Sequence, residues 1–176
     1  MAAEKIYRVP VVSKDDPSFA LVATRIDLPQ RDPERAGQFW PALSGFTIGS
    51  GSTVDISYLE STNRAPNRGF DRHLHSDELF VCLEGEFLIP MAPCRSPDDL
   101  DEEPRLEDIR CYHIKAGELF VLKRNTWHNG GWPAPGAEKM RYLMILSGHR
   151  AGAGHGGRED HVMKYLPEGQ GIAPDV

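Results

Sequence analysis

Gly69-Phe-Asp-Arg-His-Leu-His-Ser-Asp-Glu-Leu-Phe-Val-Cys-Leu-Glu-Gly85 is the stretch that decides the fold. Three metal-capable side chains, His73, His75 and Glu78, fall within six positions of it. An apolar run, Leu79 to Leu83, follows and ends in a Glu-Gly turn. Residues two apart on a strand project from one face, so His73 and His75 are expected to aim at a common point. Glu78 has the opposite parity, and a bend or bulge at Ser76-Asp77 is expected to re-aim it inward. A fourth ligand should come from a distant strand, and His128 is the candidate.

Outward from this stretch, the chain reads as short strands cut by turns. Ile6–Val12 and Phe19–Ile26 are β-prone pieces, the first expected at a sheet edge because Pro10 cannot donate to a ladder. Gln30–Gln38 is charged and turn-rich, with one turn of helix expected after Pro33, and Phe39-Trp-Pro41 opens another apolar patch. Phe46–Ser50 and Val54–Leu59 alternate as half-buried strands around a Gly49-Ser-Gly-Ser52 connection. Glu86–Met91 reads as the second strand of a hairpin with Leu79–Leu83. Pro93–Asp108 is an acidic insertion, read as a solvated loop or a short helix capped at Ser96-Pro97. Ile109–Ile114, Leu119–Leu122 and Met140–Leu146 are further strands. Lys115-Ala-Gly117 is a turn, and Lys123-Arg-Asn-Thr126 is a second one that delivers Trp127-His128. Gly148–Gly157 is glycine-rich, and His161–Leu166 is expected as a last edge strand.

About ten short strands with almost no helix predict an all-β sandwich or barrel whose mouth is the natural ligand cavity. The 176 residues suffice for one domain spanning 1–176. Its core barrel is expected at about residues 40–148, before a glycine-rich tail over 149–176. A net charge of −6 without a basic stripe argues against nucleic acid or an anionic membrane as a partner. No run approaches a membrane span, and Met1-Ala-Ala-Glu-Lys-Ile has no signal-peptide core. Cys82, Cys94 and Cys111 form no Cys-x-x-Cys and read as reduced thiols of a cytoplasmic protein.

His73, His75, Glu78 and His128 are together an N/O donor set suited to Fe, Mn, Ni, Co or Zn as a divalent ion, with positions left open for water or substrate. At these residues the chain resembles the cupins. His73-x-His75-x-x-Glu78 leading to Gly85 is similar to the first cupin motif, and Gly117 followed by a strand, a turn and His128 to the second. The resemblance implies a double-stranded β-helix (jelly-roll) barrel with these four side chains as the metal shell. A narrower resemblance, to the ureidoglycolate lyase family, covers about residues 70–166. It rests on Arg72-His73, Phe80–Pro93, the acidic insertion, Lys123-Arg-Asn-Thr-Trp-His128 and Glu159-Asp-His161. That resemblance implies a homodimeric enzyme that cleaves a C–N bond to release glyoxylate and urea.

For such a lyase on a small carboxylic acid, His113 and His161 are the candidate acid and base, and Arg72 or Lys123 the partner of the substrate carboxylate. Each has a plainer reading. His113 is a strand residue near the surface, His161 a tail residue, Lys123 and Arg124 turn charges, and Trp127 a packing residue. An Fe(II) dioxygenase, a sugar isomerase or epimerase, and a non-enzymatic small-molecule-binding protein use the same shell and stay open.

Overall fold

A computed structural model describes residues 4–27, 54–147 and 161–176 of the chain. The strands are β1 (Lys5–Ser13), β2 (Ala23–Ile26), β3 (Val54–Ser61), β4 (Gly69–His73), β5 (Glu78–Glu84), β6 (Phe87–Pro93), β7 (Arg110–Ile114), β8 (Leu119–Leu122), β9 (Thr126–His128), β10 (Trp132–Pro133), β11 (Met140–Ser147), β12 (His161–Tyr165) and β13 (Gln170–Asp175). They form two sheets. The larger runs β12-β4-β9-β6-β7-β1-β13, with β10 also on β6, and the smaller runs β2-β8-β5-β11-β3.

The chain crosses from one sheet to the other at turn after turn. It does so between β4 and β5, β5 and β6, β7 and β8, β8 and β9, and β10 and β11. Such repeated crossing with little helix is the cupin-type double-stranded β-helix, a jelly-roll barrel. Gly85 shows why a glycine stands at one crossing. Its φ is +74°, and a Cβ there would run into the carbonyl oxygen of Lys139.

The larger sheet is buried on both faces, which explains why Phe87-Leu-Ile-Pro-Met-Ala-Pro93 is apolar without alternation. Phe87, Ile89 and Met91 enter the core between the sheets, and Leu88 and Ala92 the core on the other side. The inner core is aromatic: Phe80 stacks on Phe120 at 4.9 Å, and Phe19 meets Tyr112 edge-on at 5.3 Å. Each such ring contributes about 1.5–3 kcal/mol on burial. The outer core gathers Phe70, Trp127 and Trp132 beneath the 94–109 segment and the chain ends.

Several sequence expectations change here. β1 is not at an edge: Lys5–Pro10 pairs with β13 and Val11–Ser13 with β7, the partner changing beside Pro10. Phe19–Ile26 splits into a single helical turn, α1 (Phe19–Val22), followed by β2. β5 and β6 form no hairpin, because the Gly85 turn sends them into different sheets. The acidic insertion holds no helix at Ser96, only a 3-10 turn at Leu106–Asp108. β12 does lie at an edge, yet β13 follows it. Both chain ends supply strands, so the sheets extend beyond residues 40–148. Gln30–Gln38, Phe39-Trp40-Pro41, Phe46–Ser50, Gly49–Ser52, Gly148–Gly157 and Glu159 lie outside the described residues.

Candidate functional site

Strand register builds the site. On β4, Asp71 and His73 share the inner face, while Phe70 and Arg72 take the outer one. Asp71 is paired across to His128 on β9, and His73 to His161 on β12. Directly opposed residues on antiparallel strands present the same face, so four polar side chains meet on one wall. Glu78, the first residue of β5, projects from the facing sheet. Its inward aim comes from the crossing at residues 74–77, where a bulge on one continuous strand was expected.

The turn that carries β9 is stitched to that crossing. Asn125 donates its backbone N–H to the His73 carbonyl at 2.6 Å, and Arg124 its backbone N–H to Asp77 Oδ1 at 3.0 Å. Asn125 has φ +61°, a left-handed conformation that asparagine tolerates.

Within the cluster, His73 Nε2 lies 2.9 Å from Glu78 Oε1, and His128 Nε2 lies 3.2 Å from Glu78 Oε2. Asp71 Oδ1 is 3.6 Å from His128 Nε2, and its Oδ2 is 3.0 Å from His161 Nε2. Donor atoms of Asp71, His73 and His128 all lie within 4.8 Å of one another. The cluster lines a cavity of about 280 Å³, the low end of small-molecule sites, whose other wall includes Phe80, Tyr142 and Met144. Tyr142 donates its hydroxyl to the Gly130 carbonyl at 3.3 Å.

Burial alone would push the Glu78 carboxyl up, but the His73 and His128 rings hold it far below the usual carboxylate range. Asp71 behaves the same way: burial opposes its charge, and His128 and His161 more than offset that. For His128, burial favours the neutral ring, yet Asp71 and Glu78 carry its pKa above the ordinary value.

Two observations bear on whether a cation fits. Nδ1 of His128 lies 3.1 Å from the Thr126 carbonyl, so that nitrogen carries the proton and donates it. In the neutral ring Nε2 is then a bare lone pair facing two carboxylates. Glu78 Oε2, moreover, is buried and makes no hydrogen bond, although His128 Nε2 lies 3.2 Å away. A buried arrangement of this kind requires a positive charge at its centre, either a proton or a metal ion. The donor set of imidazoles and carboxylates suits a divalent transition metal.

Of the four ligands expected from the sequence, the structure brings three together in the cavity: His73, Glu78 and His128. His75 is a correction. β4 ends at His73, the parity rule stops with it, and His75 is exposed and outside the cavity. Asp71, two residues before His73, stands in the cluster instead. Of the acid–base candidates, only His161 lines the cavity.

Arg72 has the outer-face parity. It donates through Nη1 to Cys94 Sγ at 2.8 Å and through Nη2 to the Asp99 carbonyl at 2.5 Å, with its guanidinium 4.9 Å over Trp127. His113 pairs with Glu86 at 2.6 Å away from the cavity, and Lys123 donates to the Ala20 carbonyl. Trp127 is a buried packing residue. His149 and His155 lie outside the described residues. The three cysteines are free, with burial foremost in pushing Cys82 and Cys111 up to about 12 and Cys94 to about 11.

Fold and site together define a cupin-type barrel with a His/carboxylate cluster in its mouth. No family model matches the sequence, and no curated protein matches it. Among solved structures, the chain is similar to RmlC from Streptococcus suis in complex with dTDP-D-xylose. The identity is 15%, the TM-score 0.38, and the match covers 56% of this chain and 45% of that one. It is also similar to QdtA, a sugar 3,4-ketoisomerase from Thermoanaerobacterium thermosaccharolyticum in complex with TDP. There the identity is 13%, the TM-score 0.37, and the coverage 61% and 64%. The chain thus spans less than two thirds of the length of either. Among the described residues, no helix is long and apolar enough to cross a membrane.

Proposed function

We propose that this protein is a metal-dependent enzyme of the lyase type acting on a small 2-hydroxy acid. The observation that carries this reading is the cluster of Asp71, His73 and His128, whose donor atoms lie within 4.8 Å of one another, with Glu78 against both histidines and His161 lining the same cavity. A divalent cation held by those four residues would supply charge neutralisation and Lewis-acid polarisation of the substrate's oxygens. The described cavity lining contains two carboxylates and neither lysine nor arginine. Among the described residues, an acid therefore depends on that cation for its attraction.

His161 is the base in this reading. Its hydrogen bond to Asp71 places the ring proton on Nε2 and the lone pair on Nδ1. The base takes the hydroxyl proton, the oxygen's electrons form the carbonyl, and the bond from that carbon to the leaving nitrogen breaks. The leaving nitrogen receives the proton from His161. With ureidoglycolate, the products are glyoxylate and urea.

The direct assay is release of the 2-oxo acid, glyoxylate from ureidoglycolate and its homologues from other 2-hydroxy acids carrying a nitrogen leaving group, after reconstitution with Fe, Mn, Ni, Co or Zn. No 2-oxo acid from any of them overturns the lyase reading. The apolar wall formed by Phe80 and Met144 favours a second reading, an Fe(II) dioxygenase, which oxygen uptake by the iron-loaded protein decides. The expected homodimer and the cytoplasmic location belong to the same proposal, and light scattering tests the first.

A further inference from the structure

The cavity has two unlike walls. Asp71, His73, His128 and His161 occupy one, on the larger sheet. The facing sheet contributes Glu78, Ser57 and Tyr58 to the lining, and between them an apolar patch: β11 presents Tyr142, Met144 and Leu146 at alternate positions, with Leu59 from β3 and Phe80 from β5 beside them. Register tiles these residues into a continuous surface. Met144 is paired with Phe80 on one side and Ser57 on the other, and Tyr142 with Leu59. Phe80, Tyr142 and Leu146 are buried, and Leu59 and Met144 partly so.

A polar group turned toward this wall would lose its water and find little to bond, which costs about 1–3 kcal/mol for each group left unpaired. An apolar group there gains what the polar one loses. From this asymmetry we infer that the substrate is a 2-hydroxy acid that carries, beside the nitrogen that leaves, an apolar 2-substituent, a branched alkyl or aryl group seated against Leu59, Phe80 and Met144. The inference rests on the proposed acid-binding reading and narrows it: the chelating head lies toward the His/carboxylate wall and the substituent toward the facing sheet. A cavity of about 280 Å³ has room for such a molecule.

The test is equilibrium binding by calorimetry to full-length protein loaded with Mn(II), its content fixed by elemental analysis. The probes are glycolate, glycerate, 2-hydroxyisocaproate and mandelate, which share one head and differ in the substituent. At least one of the last two is expected to bind about tenfold or more tightly than glycolate and glycerate, the scale of discrimination an apolar pocket gives. In Met144→Gln, and separately in Leu59→Asn, that preference should fall toward parity with manganese content unchanged. Equal affinities in the wild-type protein, a preference for glycerate, or a preference that survives both substitutions overturns the inference and leaves the acid reading standing. Failure of every acid to bind manganese-loaded protein, or failure to take up manganese, overturns both.

Discussion

His128 Nε2 lies 3.2 Å from Glu78 Oε2, while Nδ1 of the same ring is committed to the Thr126 carbonyl. That relationship sets the chemistry of the barrel mouth. With Nδ1 as donor, the neutral ring brings only a lone pair to a buried carboxylate oxygen that has no other hydrogen-bond partner. Two like-natured acceptors do not sit together in a buried site unless a cation lies between them.

Metal retention follows from that geometry. Glu78→Gln keeps the shape but removes a charge and a ligand oxygen, and His128→Ala removes the imidazole. Each is expected to weaken Mn(II) or Zn(II) binding by at least about 100-fold, the upper range seen for disturbing only the outer shell. Asp71→Asn should act in the same direction. His75→Ala, at an exposed position outside the cavity, is expected to leave the stoichiometry unchanged. Elemental analysis after desalting reads all four, and loss of metal in His75→Ala alone would overturn the ligand assignment.

The same groups fix the pH dependence of the metal-free protein. His128 is raised above its ordinary 6.5, so its contribution to stability is complete below that pH and is lost as pH rises through the folded value. Asp71 and Glu78 are lowered from 3.8 and 4.5, so theirs is present above those values and is lost as pH falls through the folded ones. Stability of the metal-free protein should therefore be greatest between pH 4.5 and 6.5 and decline on either side. Metal competes with the His128 proton. Below that folded pKa, apparent affinity should climb about tenfold per pH unit, with one proton released per ion. Calorimetry in buffers of different ionisation enthalpy measures that proton. An affinity independent of pH across this range would remove His128 from the ligand set.

Much of the architecture was legible because it is written locally. Leu79–Leu83, Ile109–Ile114, Leu119–Leu122 and Met140–Leu146 are apolar runs of strand length, and glycines with positive φ, Gly85 and Gly117, mark two of the turns between them. His73, Glu78 and His128 could be grouped from the sequence because Glu78 opens the Leu79–Leu83 run, His73 shortly precedes it, and His128 follows the turn after Leu119–Leu122. Asp71 was not, because the parity rule applies to any i, i+2 pair and the eye goes to the two histidines. What decides between Asp71-x-His73 and His73-x-His75 is where β4 stops, and no residue there announces it. Sheet assignment was also hidden. A glycine turn between two apolar runs looks alike whether the strands pair or part, and only facing-sheet packing separates β5 from β6. β13 was missed because Gln170–Asp175 contains Gly171 and Pro174 and gains its strand character from parallel pairing with β1, some 165 residues away in sequence (170 against 5).

Arg72 tests whether the acidic insertion is merely a solvated loop. Its guanidinium is fully buried and donates to Cys94, to the Pro97 and Asp99 carbonyls and to Asn125, all at one end of the insertion or beneath it. Glu102 closes the loop from within by accepting the backbone N–H groups of Arg95 and Ser96. Arg72→Met fills similar space but leaves several acceptors unpaired, and should cost about 3 kcal/mol in urea unfolding. Arg72→Lys should recover only part of this, since a compact ammonium cannot span the same fork. Folded Arg72→Met should still hold its metal, because the side chain lies on the opposite face of β4 from Asp71 and His73. A normal unfolding midpoint would show that the anchor does nothing for stability.

His161 separates a group that works on substrate from one that only steadies Asp71. Its Nε2 is 3.0 Å from Asp71 Oδ2, its ring centroid is 5.4 Å from that of His73, and it lines the cavity. As the base, it transfers a proton at Nδ1, and His161→Gln should lower kcat about 10²- to 10⁴-fold on whatever 2-hydroxy acid the protein turns over. KM should change little and the metal should remain. A purely orienting histidine gives a different pattern, because losing its hydrogen bond would let Asp71 swing and would weaken metal binding about 10- to 100-fold. His161→Asn then discriminates further: a shorter amide has no basic nitrogen but can still donate. If His161→Gln and His161→Asn both retain metal and lose turnover, His161 is the base. Full turnover in either variant would reduce it to an edge-strand residue that happens to face the cavity.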